Sequence, residues 1–176
     1  MALPRTVRLR DGSAVLLRRA TPEDAEAHIA NTAAIASERV YLMTETFTRS
    51  VEEIRQQFRE ADPNAVLWLV AELDGRVVGG ANFMRGRWAK NAHTAELGVA
   101  LLPAARGRGI GEALMHEGIE WARTIGVRKL KLGVFATNER AIALYRKLGF
   151  EEEARLKGEA ILASGPTDEI RMVRWL

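Results

Sequence analysis

Six consecutive residues, Arg106-Gly107-Arg108-Gly109-Ile110-Gly111, combine three alternate glycines with two arginines. Glycine lets a backbone approach a ligand closely and adopt positive φ. A helix starting at this point would add unpaired N–H groups and the positive end of its dipole, which together make a cradle for an anion. Arginine contributes forked donors suited to phosphate oxygens. The bland alternative is a flexible turn with solvated charges. Arginine supplies 21 of the 26 basic residues, so neither arginine is informative by type alone. Nucleotide signatures fit poorly. A dinucleotide fingerprint needs a third small residue, but counting from Gly107 reaches Glu112 and counting from Gly109 reaches Leu114. No Gly-Lys-Ser/Thr triplet is present for a Walker loop.

A second constellation runs from Asn138 to Phe150 and contains Tyr145. Asn138 and Tyr145 are two helical turns apart and share a face, so one ligand could touch both. Taken singly, Asn138 reads equally as a helix cap and Tyr145 as an amphipathic core residue. Metal and thiol chemistry lack support: there is no cysteine, and His28, His93 and His116 show no ligand spacing. All three histidines read as surface or packing residues.

The elements that must hold these groups are legible in outline. Ala14-Val15-Leu16-Leu17 reads as a strand, and Thr21-Pro22-Glu23-Asp24 as a helix start. Ser50-Val51-Glu52-Glu53 has capping-box spacing and opens a second helix expected to end near Asp62-Pro63. Val66 to Glu72 and Arg76 to Phe83 flank Asp74-Gly75 and predict a hairpin. A strand over about His93 to Leu101 stops at Pro103 and points into the glycines. Apolar residues from Ile110 to Ile125 recur at helical spacing until Gly126, and Leu130, Leu132 and Val134 alternate as a strand. Asn138 then opens a helix closed by Gly149, and Glu169 to Leu176 alternates and should rejoin the sheet. The expectation is an α/β (α+β) fold, a mixed, mostly antiparallel sheet flanked by helices.

With 176 residues, 47% of them hydrophobic and 28% charged, the chain is expected to form a single domain over 1–176 with one core. The N-terminal residues lack the apolar run of a signal peptide, and no stretch approaches a membrane span. A cytoplasmic protein without membrane partners is expected. The net charge of +3 mildly favours anionic ligands, but no nucleic-acid-binding module is readable.

Glu96-Leu97-Gly98-Val99-Ala100-Leu101-Leu102-Pro103 leading into Arg106 to Gly111, followed by Asn138 to Phe150, resembles the GNAT superfamily of N-acetyltransferases. Arg106 begins a match to the family's Arg/Gln-x-x-Gly-x-Gly/Ala signature, with Gly109 and Gly111 in the glycine positions. The resemblance is strongest over about 93–150. It implies acetyl-CoA as cosubstrate and a sheet splayed between the family's fourth and fifth strands, here about His93 to Leu101 and Lys129 to Phe135. It also implies that the backbone of Val99 and Leu101 pairs with the pantetheine arm and that the loop of Arg106, Gly107, Arg108, Gly109, Ile110 and Gly111 holds the pyrophosphate. Asn138 would contact the cofactor arm, with Tyr145 beside the thioester sulfur.

An aliphatic amine is protonated at neutral pH and must lose a proton before it attacks a thioester. Glu96, beside the acyl-binding strand, is the first candidate base, directly or through water, with a salt-bridged strand glutamate as the alternative. Tyr145 is the candidate proton donor to the departing sulfur, and the N–H of Val99 or Leu101 could polarise the acyl carbonyl. Direct transfer in a ternary complex is favoured, partly because no cysteine is present to take the acyl group. The expected acceptor is a small amine, such as an amino acid. A protein N-terminus or lysine is the nearer alternative, and a noncatalytic acyl-CoA sensor or phosphate-binding module the more distant one. The Tyr41 to Phe47 segment and the Trp88 loop are candidates to line the acceptor pocket. Pairing of two copies as a homodimer through an exposed sheet edge stays open.

Overall fold

The computed structural model describes residues 3–176. Among these residues eight strands form one sheet in the order β1-β2-β3-β4-β5-β6-β8-β7. They are β1 (Arg5–Arg8), β2 (Ala14–Arg19), β3 (Val66–Leu73), β4 (Arg76–Arg85), β5 (Thr94–Leu101), β6 (Lys129–Phe135), β7 (Glu151–Leu162) and β8 (Gly165–Trp175). The helices are α1 (Ala25–Ala36), α2 (Val51–Arg59), α3 (Ile110–Thr124) and α4 (Glu139–Lys147). All neighbouring strands are antiparallel except β5 and β6, whose parallel pairing requires the crossover that α3 provides.

Local chemistry accounts for most boundaries. The Ser50 N–H donates to Glu53 Oε2 at 2.6 Å and the Glu53 N–H returns to Ser50 Oγ at 3.3 Å, closing the predicted capping box. Asp74 and Gly75 both take positive φ, 51° and 74°, as the tight β3–β4 turn requires. Asn138 Oδ1 accepts the Ala141 N–H at 3.2 Å and starts α4. The Thr21-Pro22 start is realised as a short 3₁₀ turn over Pro22–Asp24 that runs into α1. Helix α2 stops at Arg59, before Asp62.

Two strands lie outside the sequence expectation. Strand β1 is four residues long and largely exposed, and β7 begins with three glutamates and is exposed along nearly its whole length. Neither carries a buried alternating face, because both are sheet edges, where charged side chains guard unpaired backbone. Because β1 adds a strand at the front, the open junction falls between the fifth and sixth strands.

Alternation divides the sheet into two faces. Leu67, Leu69, Ala81, Phe83, Ala95, Leu97, Leu130 and Leu132 join Leu114, Met115 and Trp121 of α3 and Tyr145 of α4 in the main core. The opposite face carries a smaller cluster in which Ile54 and Phe58 of α2 pack with Ala25, Ile29 and Trp68. Among the described residues, no helix is long and apolar enough to cross a membrane.

The decisive feature lies at the centre. Strands β5 and β6 pair only through Thr94↔Lys129, Ala95↔Leu130 and Glu96↔Lys131, although both continue well beyond. Past Glu96 they diverge and leave a gap through the sheet. Leu102 N–H donates to Val78 O, so with a two-residue period the backbone groups of Val99 and Leu101 turn away from β4 and toward this gap.

Candidate active site

A cleft of about 760 Å³ runs through the gap and reaches both faces of the sheet. At its β5 end the chain turns through Pro103–Ala105 into the glycine-rich loop. Gly107 and Gly109 take φ of 82° and 96°, conformations that side-chain-bearing residues rarely adopt, and Ile110 begins α3. Among the described residues, the backbone N–H groups from Gly107 to Glu112 donate to no protein acceptor. Several unpaired donors therefore converge at a helix N-terminus, an arrangement suited to phosphate oxygens.

The two loop arginines have a different occupation. Arg106 donates from Nε to Leu101 O at 2.8 Å and from Nη1 to Glu38 Oε2 at 2.7 Å, and its guanidinium lies 4.6 Å from the Tyr41 ring centre. The Glu38 hydrogen bonds hold its pKa above the usual arginine value and those of Arg106 hold Glu38 below the usual carboxylate range. Arg108 points away, donating to Asp11 Oδ2 at 2.7 Å and to Ser13 Oγ at 2.8 Å. Asp11 is held to about 2, first by its Ser13 hydrogen bonds and to a lesser degree by Arg108. Both side chains thus brace the loop, one to the end of α1 and one to the β1–β2 turn. Arg106, Gly107, Gly109 and Gly111 line the cleft, whereas Arg108 does not and Ile110 is fully buried in the core. A cation without a carboxylate partner among the described residues is Arg140, whose guanidinium leans over Gly107 and lines the cleft. Its sequence position, one residue inside α4, carries no signal of this.

Val99, Leu101, Asn138 and Tyr145 all line the cleft. The Asn138 oxygen serves as the α4 cap, which leaves its amide nitrogen for another partner. Tyr145 is 7% exposed and packs its ring 5.9 Å from that of Phe150. Burial pushes its hydroxyl up to about 12, so it stays protonated through the neutral range. No fully buried side-chain polar atom among the described residues lacks a partner. Among the described residues the Tyr145 O–H has no protein partner, so its oxygen opens on the cleft.

On the opposite face the cleft is lined by Gly80, Gly98 and Gly133. His28 from α1, Phe47, Phe58 from α2 and Trp68 from β3 form an aromatic enclosure, with ring centres 5.5 to 6.1 Å from His28. Burial lowers the His28 pKa, with a smaller contribution from Arg49, and keeps the imidazole neutral at pH 7. Tyr41, Leu42 and Phe47 line this side, whereas Trp88 is 70% exposed and lies outside the cleft. His93 and His116 are outside it as well. Glu96 does not line the cleft. It stands at the vertex where β5 and β6 part, 3.7 Å from Lys131 and 3.4 Å from Arg171, and Arg171 also reaches Glu169 at 3.3 Å.

A family model described as "Acetyltransferase (GNAT) family" matches residues 31–150. The L-amino acid N-acetyltransferase AaaT of Escherichia coli is 35% identical over 122 residues, covering 67% of this chain and 74% of that protein. Among solved structures, a ribosomal-protein-alanine N-acetyltransferase from Brucella melitensis superposes with a TM-score of 0.82 at 33% identity, over 92% of this chain and 99% of its own. A phosphinothricin acetyltransferase from Sinorhizobium meliloti, solved in complex with acetyl-CoA, gives a TM-score of 0.83 at 27% identity, over 92% and 88% of the two chains. The row of unpaired loop N–H groups and the open edge of β5 fit a ligand that carries phosphates on an amide-bearing arm. This chain belongs to the GNAT family of acetyltransferases and is an acetyl-CoA-dependent acyltransferase.

Proposed function

We propose that the enzyme acetylates the amine of a small molecule, with amino acids foremost, by direct attack in a ternary complex. The observation that carries this reading is the acceptor side of the cleft, an aromatic enclosure with Tyr41, Leu42 and Phe47 along its wall. A peptide acceptor would need an open groove there. The similarity to an L-amino acid N-acetyltransferase and to a phosphinothricin acetyltransferase points the same way. Membership of all eight strands in a single sheet supports treating residues 1–176 as one catalytic domain.

Bound acetyl-CoA supplies an acetyl group activated as a thioester. The N–H groups of Gly107 to Gly111 hold the pyrophosphate, with Arg140 adding charge and with Arg106 and Arg108 fixing the loop. Val99 and Leu101 offer gap-facing backbone groups to the pantetheine amides. Because the Leu101 carbonyl is taken by Arg106, the Val99 N–H and C=O and the Leu101 N–H carry this pairing. Asn138 offers its amide nitrogen to the same arm. An N–H of β5 polarises the acyl carbonyl, and Tyr145, kept protonated, donates to the departing sulfur. Glu96 takes the amine's proton through water, since it stands at the vertex outside the cleft.

The test is thiol release from acetyl-CoA against amino acids, polyamines, aminoglycosides and short peptides. Turnover confined to small amines supports the reading. Turnover confined to peptides would reverse the acceptor class, and tight acetyl-CoA binding with no turnover on any amine would favour a sensor.

A further inference from the structure

The acceptor face of the gap is flanked by two side-chain oxygens that the proposed chemistry leaves unused. Gly98 of β5 and Gly133 of β6 each lie four residues beyond the paired Thr94 and Lys129, so they face one another across the opening. Each glycine is covered by a polar group from the neighbouring strand. A methyl group on Gly98 would come within 3.0 Å of the Asn82 carboxamide oxygen, and one on Gly133 would overlap the Glu169 carboxylate. Any larger residue at either position would push these oxygens away from the gap. Gly98, Gly133 and Asn82 line the cleft, and Glu169 meets it only where its carboxylate lies over Gly133.

Both groups are short of partners. Asn82 is half-buried and, among the described residues, makes no side-chain hydrogen bond. Glu169 is buried, with 6% of its surface exposed, yet among the described residues only Arg171 meets its carboxylate, in an ion pair at 3.3 Å and a hydrogen bond at 3.4 Å, and Arg171 is shared with Glu96. Among the described residues Glu169 Oε1 accepts no hydrogen bond, and because no fully buried polar atom lacks a partner this oxygen is open, leaving free several of the roughly four lone-pair sites a carboxylate offers. An ammonium group over the gap would complete it, with Asn82 accepting a second N–H from the other side. The same ammonium would then stand on the face opposite Tyr145, which approaches the gap from the α4 side.

We propose that Glu169 and Asn82 dock the acceptor's ammonium between them, so that the enzyme selects amines that arrive protonated. The proposal rests on the acetyl-transfer reading above and leaves Glu96 as the proton's destination. Docking and deprotonation are then separate tasks on separate carboxylates. Aliphatic primary amines are favoured over arylamines, whose nitrogen is uncharged at neutral pH.

The experiment compares wild type, Glu169→Gln, Glu169→Asp, Asn82→Ala and Glu96→Gln, with the best acceptor from the thiol-release panel and with aniline. Melting temperature and acetyl-CoA affinity establish that each variant is folded and loaded. Calorimetric titration of the acceptor into the enzyme–CoA complex reads docking without turnover. Loss of a charge-assisted hydrogen bond predicts an acceptor KM and dissociation constant about 10- to 100-fold higher in Glu169→Gln. Asn82→Ala should show a smaller rise, and acetyl-CoA affinity should be unchanged in both. Glu169→Asp keeps the charge beside Arg171 but withdraws it from Gly133, and it should weaken the acceptor as well. Glu96→Gln should instead lower kcat. The preference for the aliphatic amine over aniline should narrow in Glu169→Gln. If folded Glu169→Gln, or Glu169→Asp should Glu169→Gln not fold, binds the acceptor within about twofold of wild type, Glu169 is only the partner of Arg171 and the proposal fails. If wild type releases no thiol with any amine, the acetyl-transfer reading fails and takes this proposal with it.

Discussion

Replacing Tyr145 with phenylalanine separates chemistry from packing because the structure assigns the two parts of this side chain to different places. The ring is buried in the main core against Phe150, and phenylalanine preserves it. Among the described residues the hydroxyl has no protein partner, and it opens on the cleft, so its removal leaves no buried polar group unsatisfied. Stability should therefore change by no more than about 0.5 kcal/mol, or roughly 1 to 2 °C for a domain of this size. Loss of a positioned general acid costs about 10²- to 10⁴-fold in rate. At 1.36 kcal/mol per decade this is about 2.7 to 5.4 kcal/mol of transition-state stabilisation. Thiol release under saturating substrates should show kcat reduced by this factor, with acetyl-CoA affinity nearly unchanged. Because burial pushes Tyr145 up to about 12, the wild-type rate should show no alkaline limb from this group below about pH 10. A folded Tyr145→Phe enzyme with kcat within threefold of wild type would refute the assignment, and the sulfur would then leave unaided or with another donor.

Arg106→Ala should lower stability by about 1–3 kcal/mol, read as a drop in Tm, and should weaken acetyl-CoA binding, because Glu38 loses its partner and the Leu101 carbonyl and loop lose their tie. Arg106→Lys should restore little, since one ammonium cannot replace a forked contact. Acetyl-CoA at 100 times its dissociation constant should stabilise the fold by about 2.7 kcal/mol, raising Tm by about 5–10 °C. Gly109→Ala, forced to hold a φ of 96°, should reduce that rise in a thermal-shift titration. Burial depresses the His28 pKa below its ordinary 6.5, so on acidification through 6.5 the unfolded chain takes up a proton that the native imidazole resists. Stability conferred by neutral His28 is therefore complete above that value and declines below it. In His28→Phe, Tm should fall less steeply between about pH 7 and 5.

The glycine-rich loop, the Asn138 cap and the face shared by Asn138 and Tyr145 were legible because their logic is local: spacing within one turn or one helix decides it. The central strands were legible because their alternating apolar residues face a core. Strands β1 and β7 were not, since edge strands carry charge where a buried face would leave a pattern. Partners were harder than positions. Arg106 read as a phosphate ligand from its neighbours in sequence, yet its guanidinium is committed to Glu38, 68 residues away, and that of Arg108 to Asp11, 97 residues away. Nothing in a local window distinguishes an arginine that binds a ligand from one that braces the loop binding it. The aromatic enclosure around His28 was invisible for the same reason, as its walls come from α1, the following loop, α2 and β3. In the sequence, Glu169 stands out only as part of an alternating tail.

The parting of β5 from β6 after three residue pairs also bears on solubility. A sheet interrupted in its middle presents two further rows of unsaturated backbone, and such rows invite addition of a strand from another molecule. Here they run along the walls of a slot whose α4 side carries Leu144 and Tyr145 and whose other side carries Tyr41 and Phe47. An incoming strand must bring side chains alternately to both faces, and those residues crowd the space they would need. A slender linear molecule with no branches meets no such obstacle. By placing its reactive edges inside rather than at the rim, the fold keeps them open to a thin guest and shut to its own kind.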